Sequence, residues 1–408
     1  MLGRKKGKQL FLKGLGINLL LSVSSVAIFL AGGELLARLQ YTPQKYEHPG
    51  TFIYDKEKVF ALRKNYRGTY KDSEYSTNSH GYRGNEISVE KPRNKKRILV
   101  VGDSVTFGHG MSDEQTYPYL LEQSLNEYYA EQGEETSVEV INTGVPGNST
   151  YQEYYDLKRG LKFNPDLIVL QITLNDIIEP YAGWIFKDMG MEEGELETIS
   201  HEYILGQNDL PYFDYFLRQH SAFYLFLKDM NARIRFMDLT GNNIAEKAAN
   251  EEQYNMGLLV NEPDGPIVTE AWRNIFEWIR RMIKMAEERD IPLVLLATPY
   301  DFQFTLEREL AFPQQKMREF ASEEGIYYVD MLEALCYLLV EREGEEKTFN
   351  QIIAEWRSDS SSKLIQDFWE IFFIDFVHPS AIGNGLITNI LQPVILNALN
   401  PSAEEGSF

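Results

Sequence analysis

Residues 97–104 read RILVVGDS, and this stretch decides the fold class of the chain. Its apolar and mostly β-branched first half is typical of a buried strand in a parallel sheet, and its second half is typical of a tight turn. Similar apolar runs follow at 138–142, 166–172, 291–297 and 327–329. These runs predict one sheet whose strands are buried on both faces.

Segments with helical spacing of apolar residues lie between and after the strand candidates. They cover 117–129, 151–161, 270–289, 313–324 and 381–399. Alternation of strand and helix predicts a parallel sheet with helices packed on both faces. In open sheets of this kind, functional sites form beyond the carboxyl ends of the strands. We therefore expect the site in the loops that follow the strands.

The main domain is predicted to span residues 97–400, and two stretches interrupt its alternation. These are 177–269 and 333–374, which we interpret as helical insertions because compact folds rarely keep structureless loops of that length. Residues 37–96 are polar, with turn residues around short extended pieces. This segment is predicted to be a connector that packs against the main domain.

The amino terminus predicts a membrane anchor. Residues 1–13 are rich in lysine and arginine, and an apolar stretch follows over 14–36. Its length matches the hydrocarbon core of a bilayer, and the basic flank favours a cytoplasmic start with the rest of the chain outside the membrane. A cleaved signal peptide is the alternative, because small residues at 31–33 suit a signal peptidase, and cleavage would release a secreted protein.

Charge and cysteine usage exclude several classes of function. The formal net charge of −21 argues against a nucleic-acid partner, because phosphate binding requires a basic face. Cys336 is the single cysteine, so an intramolecular disulfide and a cysteine-rich zinc site are both excluded. His48, His201 and His220 are too widely spaced for a metal-ligand pattern, and the chemistry expected below needs neither metal nor cofactor.

Polar residues that can carry acyl-transfer chemistry follow the predicted strands. Ser104 follows the first strand, Gly147 the second and Asn175 the third, and Asp375 and His378 lie near the carboxyl end. A serine hydroxyl needs a neighbouring base, a role that suits the histidine, and an aspartate can hold the imidazole in the required tautomer. Backbone N–H groups at the serine and the glycine, with the asparagine amide, can stabilise an oxyanion.

Together these blocks resemble the SGNH/GDSL hydrolase family, whose sequences carry a GDS motif, a glycine, an asparagine in GxND and a DxxH motif. The resemblance covers about residues 96–397 outside the insertions. It implies a flavodoxin-like three-layer α/β/α sandwich, a nucleophile at Ser104, a triad completed by Asp375 and His378, and an oxyanion hole from Ser104 N–H, Gly147 N–H and the Asn175 side chain.

This chain departs from the family pattern at two positions. Thr173 stands where GxND has glycine, and Val105 stands where the family name has leucine. The second variant is similar to a membrane-anchored branch of the family, as is the segment Gly81–Gly84. The alternative G-x-S-x-G signature of α/β-hydrolases is absent, because Thr106 occupies its last position.

Three further residues are candidate substrate contacts. His109 lies close after the nucleophile, and His80 and Arg83 can reach the site from the connector. The expected function is hydrolysis of acyl esters, acetyl esters in particular, outside the cytoplasmic membrane. An O-acyltransferase that modifies a cell-surface polysaccharide is the first alternative, and a non-catalytic binding protein on the same fold is the second.

Overall fold

A computed structural model describes two compact units. One unit contains residues 1–50 and 205–250, and the other contains residues 51–204 and 251–408. The described residues are 2–39, 51–70, 73–178, 213, 216–217, 220–227, 230, 258–259, 262–304, 312–343 and 371–400. Most of the two predicted insertions, 177–269 and 333–374, therefore lies outside the described residues.

The first unit contains a long amino-terminal helix, α1 (Leu2–Ala37). Its stretch Gly16–Ala37 is long and apolar enough to cross a membrane, and within that stretch Ala37 alone is buried. Near its end, Glu34 accepts hydrogen bonds from the Ser221 hydroxyl at 2.8 Å and from the N–H groups of Ala222 and Phe223, both at 3.1 Å. These N–H groups begin a helical stretch at 222–227, so Glu34 acts as its amino-terminal cap.

Two antiparallel hairpins lie in the segment predicted to be a connector. Strand β1 (Phe52–Asp55) pairs with β2 (Val59–Leu62), and β3 (Arg67–Tyr70) pairs with β4 (Ser73–Ser76). Lys58, which precedes β2 by one residue, is buried, and its ammonium group contacts both carboxylate oxygens of Asp156 at 2.6 Å. A buried charge of this kind is tolerated when it is paired.

Among the described residues, the central sheet of the second unit has five parallel strands in the order β6-β5-β7-β8-β9. The strands are β5 (Lys95–Val101), β6 (Ser137–Asn142), β7 (Leu167–Ile172), β8 (Leu293–Ala297) and β9 (Tyr327–Asp330). Every residue of β7 and β8 is buried, as a sheet covered on both faces requires. Renumbered from β5, the order is 2-1-3-4-5, which confirms the predicted flavodoxin-like fold.

Helices cover both faces of the sheet. They are α2 (Ser104–Phe107), α3 (Tyr117–Glu131), α4 (Thr150–Gly160), α5 (Leu174–Ile178), α6 (Pro266–Glu287), α7 (Phe312–Glu324), α8 (Met331–Glu343) and α9 (Ala381–Leu399). Helix α3 packs beside α9, and α4 packs beside α6. Phe276 of α6 stacks on Phe320 of α7 with ring centroids 4.1 Å apart. The three-layer prediction is therefore confirmed.

One helix begins earlier than predicted, and another has the predicted range but is unusually apolar. Helix α6 begins four residues before the predicted start, because Pro266 has the backbone angle of a first helical turn and lacks the N–H that such a turn leaves unpaired. Helix α9 is long and apolar enough to cross a membrane, but Ile387, Leu391 and Ile395 are fully buried in the core. Its apolar character thus belongs to the interior of the second unit.

Candidate active site

The turn after β5 presents Ser104 as the first residue of α2. The Asp103 carboxylate accepts a hydrogen bond from the Val105 N–H at 2.8 Å and caps this short helix. Gly102 makes the turn possible, because a Cβ at this position would lie 2.3 Å from the Thr106 hydroxyl and 2.4 Å from the Gln171 amide oxygen. Close packing therefore requires glycine and leaves the serine half-buried at the carboxyl edge of the sheet.

The structure brings Ser104, His378 and Asp375 into one hydrogen-bonded chain. The Ser104 hydroxyl lies 2.8 Å from Nε2 of His378, and Nδ1 of the same ring lies 2.7 Å from Oδ2 of Asp375. The serine and the histidine are 274 positions apart in the sequence, so the fold alone creates this contact. A serine, an imidazole and a carboxylate in this order have the arrangement of a nucleophile, its base and the group that orients the base.

The turn between Asp375 and His378 holds the carboxylate in place. The other carboxylate oxygen, Oδ1, accepts the N–H groups of Val377 at 3.0 Å and His378 at 2.8 Å. Burial raises the pKa of Asp375, but hydrogen bonds from the His378 ring and backbone, the charge of that ring and the Val377 N–H outweigh burial. The pKa therefore lies well below its usual value, and the carboxylate is ionised at neutral pH.

The three loops that carry the predicted oxyanion donors are hydrogen-bonded to one another. The Thr173 hydroxyl donates to Oδ2 of Asp103 at 2.9 Å, and the Val145 N–H donates to the Gly102 carbonyl at 3.3 Å. Gly147 has a φ of 80°, which favours glycine, and Asn175 is the second residue of α5. The amide oxygen of Asn175 is buried and has no hydrogen-bond partner among the described residues.

Thr173, which replaces the glycine of GxND, has a structural explanation. Asp176 accepts its N–H at 2.7 Å, and the hydroxyl that donates to Asp103 also lies 3.1 Å from the same Asp176 oxygen. A glycine would lack the hydroxyl, so threonine adds a link between the loop before α5 and the nucleophile turn. Asp176, the third residue of α5, is thus an acceptor for the loop that precedes this helix.

A buried acid, Glu153, interacts electrostatically with Asp103 of the nucleophile turn. It is fully buried in α4, and neither of its carboxylate oxygens has a hydrogen-bond partner among the described residues. Burial raises the pKa of Glu153 well above its usual range, and the charges of Asp176, Asp103 and Asp156 raise it further. The neutral form avoids adding another negative charge to this group of buried carboxylates. No sequence pattern indicated this residue.

His109, the first candidate substrate contact, lies against the histidine of the triad. The ring centroids of His109 and His378 are 3.8 Å apart and their planes differ by 13°. These two rings and Asp375 offer metal-ligand atoms within 4.8 Å of one another. Nearly parallel rings, however, direct their in-plane lone pairs along parallel planes, so they do not converge on one ion as zinc ligands do.

His80 and Arg83, the other two candidate substrate contacts, have partners outside the triad. Nε2 of His80 lies 3.1 Å from the Ile87 carbonyl, and the ring packs edge-on against Phe163. The buried guanidinium of Arg83 instead binds the loop that follows α2. Its partners are the carbonyls of Phe107 at 2.8 Å, Gly108 at 2.9 Å and Met111 at 2.5 Å, and the Asp113 carboxylate at 2.8 Å. The structure places neither residue in contact with the triad.

A cavity of about 800 Å³ lies at the opposite edge of the sheet. Its lining includes Lys96, Pro165, Pro292 and Tyr327, which lie at or just before the amino ends of four strands. None of the predicted site residues contributes to it. Because ligand sites in open parallel sheets lie at the carboxyl ends, the triad edge is the candidate active site.

Comparison with solved structures finds chains that match this one at low sequence identity. The crystal structure of the lipase/acylhydrolase from Enterococcus faecalis is 15% identical, with 76% of this chain and 100% of that chain covered at a TM-score of 0.36. The esterase EstA from Pseudoalteromonas sp. is 9% identical, with 75% and 99% covered at a TM-score of 0.34.

The sequence itself identifies the family. A search of curated proteins finds no match to the chain. The sequence profile of the GDSL-like Lipase/Acylhydrolase family, however, matches residues 98–391, which is more than half of the chain and includes every residue of the hydrogen-bonded triad. The chain therefore belongs to the family of GDSL-like lipases and acylhydrolases.

Proposed function

We propose that this protein is a serine-dependent hydrolase of acyl esters in which Ser104 is the nucleophile. The observation that carries the proposal is the chain of two short hydrogen bonds from Ser104 through His378 to Asp375. His378 accepts the hydroxyl proton as the serine oxygen attacks the ester carbonyl, and it then returns that proton to the departing alcohol. Water, deprotonated by the same imidazole, releases the acid from the acyl-enzyme.

The oxyanion that forms during attack requires fixed hydrogen-bond donors. We assign this role to the N–H groups of Ser104 and Gly147 and to the side-chain amide of Asn175. The hydrogen bonds that join the three loops support the assignment, since they restrict the loops relative to one another. Donors that are already oriented need no reorganisation when the charge develops, which is the basis of their effect on rate.

Acetyl esters are the proposed substrates, and carbohydrate is the proposed carrier of the acetyl group. The family membership supports an acyl ester, and the proposed location outside the membrane supports a cell-surface polymer. Transfer of the acetyl group to a sugar hydroxyl is the alternative outcome, because the acyl-enzyme is the same intermediate in both reactions. A non-catalytic binding role is disfavoured, because the serine, histidine and aspartate are all present and in contact.

Product analysis with an acetylated oligosaccharide tests the function. We expect the wild-type protein to release free acetate, and an added unacetylated oligosaccharide is expected to leave the yield of acetate unchanged. Acetylation of the added acceptor at the expense of free acetate would instead identify an acyltransferase. Neither product, together with no reaction with p-nitrophenyl acetate or a fluorophosphonate probe, would favour the binding role.

We also propose that α1 remains attached as a single membrane anchor and that the hydrolase domain lies outside the cytoplasmic membrane. Large apolar side chains such as Leu20, Ile28 and Phe29 are exposed, as lipid contact requires. Retention is supported by the contacts of Glu34 with residues 221–223 and by the packing of Phe29 on Phe223, with ring centroids 6.0 Å apart. A cut after Gly33 would remove Phe29 and leave Glu34 at a new terminus.

We expect the protein to stay at full-length mass in the membrane fraction and to resist extraction with alkaline carbonate. A reporter enzyme that folds only outside the cytoplasm should be active when fused after Phe408. Recovery of a shortened protein in the medium would show that α1 is a cleaved signal. Activity of a reporter that works only in the cytoplasm would overturn the proposed orientation.

A further inference from the structure

The ring of His109 covers one face of the His378 imidazole. At a centroid distance of 3.8 Å and an interplanar angle of 13°, the two rings are in van der Waals contact over much of their area. Hydrogen bonds to Asp375 and Ser104 fix the two ring nitrogens of His378. Both bonds lie in the plane of the ring, so they restrict tilting of the ring out of that plane less strongly. A stacked ring restricts this remaining motion.

His109 is itself fixed by the turn that ends α2. Its N–H donates to the Ser104 carbonyl at 3.0 Å. One backbone hydrogen bond therefore links the residue that carries the stacked ring to the residue that carries the nucleophile. On the connector side, the Tyr70 ring meets the His109 ring edge-on, with centroids 5.3 Å apart and planes at 84°. The His109 ring therefore lies in contact with both Tyr70 and His378.

Residues of the connector also hold the backbone of the His109 loop. Arg83 binds three carbonyl groups of residues 107–111 and the Asp113 carboxylate, as described above. The Ser73 hydroxyl donates to the Gly110 carbonyl at 2.5 Å, and the Ser76 hydroxyl donates to Asp113 at 2.6 Å. All of these connector residues precede residue 98, where the match to the family begins. The support of the loop thus comes from residues that precede the stretch matched by the family profile.

We propose that His109 is a positioning residue for His378. We also propose that the β3–β4 hairpin, together with Arg83, holds the His109 ring against the His378 ring. This inference rests on the proposed function, since it gives His378 the role of the base. Small displacements of a catalytic group lower the rate steeply, because the reacting atoms must lie in contact and in alignment. The flat face of the His109 ring, and not its nitrogens, supplies the effect.

The proposal differs from the role of substrate contact that the sequence suggested for His109. A substrate contact acts through a polar atom and changes KM, whereas a positioning ring acts on the base and changes kcat. Reaction with a small fluorophosphonate adds a second criterion, because its rate depends on the activated serine and little on contacts to a natural substrate. The two roles therefore predict different patterns in the same set of variants.

Three substitutions at His109 separate these roles. Phenylalanine keeps a flat ring without nitrogens, asparagine keeps a polar group without a ring, and alanine removes both. We expect His109→Ala and His109→Asn to lower kcat and the rate of fluorophosphonate labelling roughly tenfold, as expected for loss of a stacked pair, while KM changes by less than about threefold. His109→Phe should stay within about threefold of the wild type in all three quantities.

His220→Ala is the matched control, because His220 also stacks on an aromatic ring, Phe216 at 4.3 Å, but in the other compact unit. It should leave both rates unchanged, and thermal unfolding of each variant checks the fold. Tyr70→Ala should slow both ester hydrolysis and fluorophosphonate labelling, but by a smaller factor than His109→Ala. A normal rate for His109→Asn with a slow His109→Phe would overturn the proposal in favour of a polar contact. Failure of the wild type to react at all would instead refute the proposed function.

Discussion

Replacing Ser104 with alanine is expected to lower kcat for ester hydrolysis by a factor on the order of a million and to abolish fluorophosphonate labelling. The remaining groups can still bind substrate and stabilise the oxyanion, so a small rate above that in water should persist. The fold should survive, because the change removes one hydroxyl whose hydrogen bond with His378 contributes only about 1 kcal/mol to stability. Steady-state hydrolysis of p-nitrophenyl acetate and probe labelling are the measurements.

Ser79→Ala is the matched control for this prediction. Ser79 is an exposed serine whose hydroxyl donates to Glu86 at 2.6 Å, and its loss should leave kcat unchanged. The nucleophile would have to be sought elsewhere if Ser104→Ala retained more than about a hundredth of the wild-type kcat. A labelled Ser104→Ala protein would lead to the same conclusion, and the labelled peptide would identify the residue.

Ser104→Cys offers a second and independent test, because the chain has only one native cysteine. Cys336 is fully buried, and burial raises the pKa of its thiol, with the charges of Asp330 and Glu333 raising it further. Since the thiolate is the reactive form, wild-type protein should react slowly with iodoacetamide at neutral pH. Ser104→Cys should react rapidly, and adding His378→Ala should slow it. Equal rates for Ser104→Cys and the wild type would contradict a base at this position.

Most of the fold follows from patterns that are local in the sequence. The five strands were predictable because each contains a short apolar stretch, which extends over most of β7 and all of β8, the two strands that are buried throughout. The order of the sheet follows from the family resemblance. The triad was predictable for a similar reason. Ser104 directly follows the end of β5 but for the turn of Gly102 and Asp103, and Asp375 and His378 form a DxxH motif just before α9, so the sequence shows both parts.

The contacts of Arg83 and His109 were not predictable in the same way. The sequence offers a long cationic side chain and an imidazole near the nucleophile, and both types commonly bind substrates. Only the structure shows that the guanidinium of Arg83 is surrounded by carbonyls of residues 107–111. Spacing along the chain carries no information about this contact, because the contact joins Arg83, which follows β4, to the loop at 107–111, which follows α2. Glu153 is a similar case, since burial of an acid in an amphipathic helix has no sequence signal.

Replacing Asp375 with asparagine is expected to lower kcat by about three to four orders of magnitude with little change in KM. The present Oδ1 accepts two backbone N–H groups, and an asparagine oxygen can continue to accept them. The amide nitrogen would then face Nδ1 of His378, where the carboxylate oxygen lies now. Because an amide nitrogen only donates, Nδ1 must accept, and the ring proton moves to Nε2. In that tautomer the ring no longer accepts the proton of Ser104.

The lowered pKa of Asp375 determines the pH range over which the wild type and Asp375→Asn should differ in kcat. Its carboxyl group has a pKa below the ordinary value of about 3.9, so above pH 4 the wild-type protein keeps the carboxylate and the stability that its hydrogen bonds contribute. That contribution is lost only as the pH falls from the unfolded pKa through the folded pKa. The wild type and Asp375→Asn should therefore differ in kcat at every pH from 5 to 9. A gap that closes within this range would show that ionised Asp375 does not orient the base. Asp264→Asn, at an exposed position, is the control for the chemical change and should match the wild type throughout.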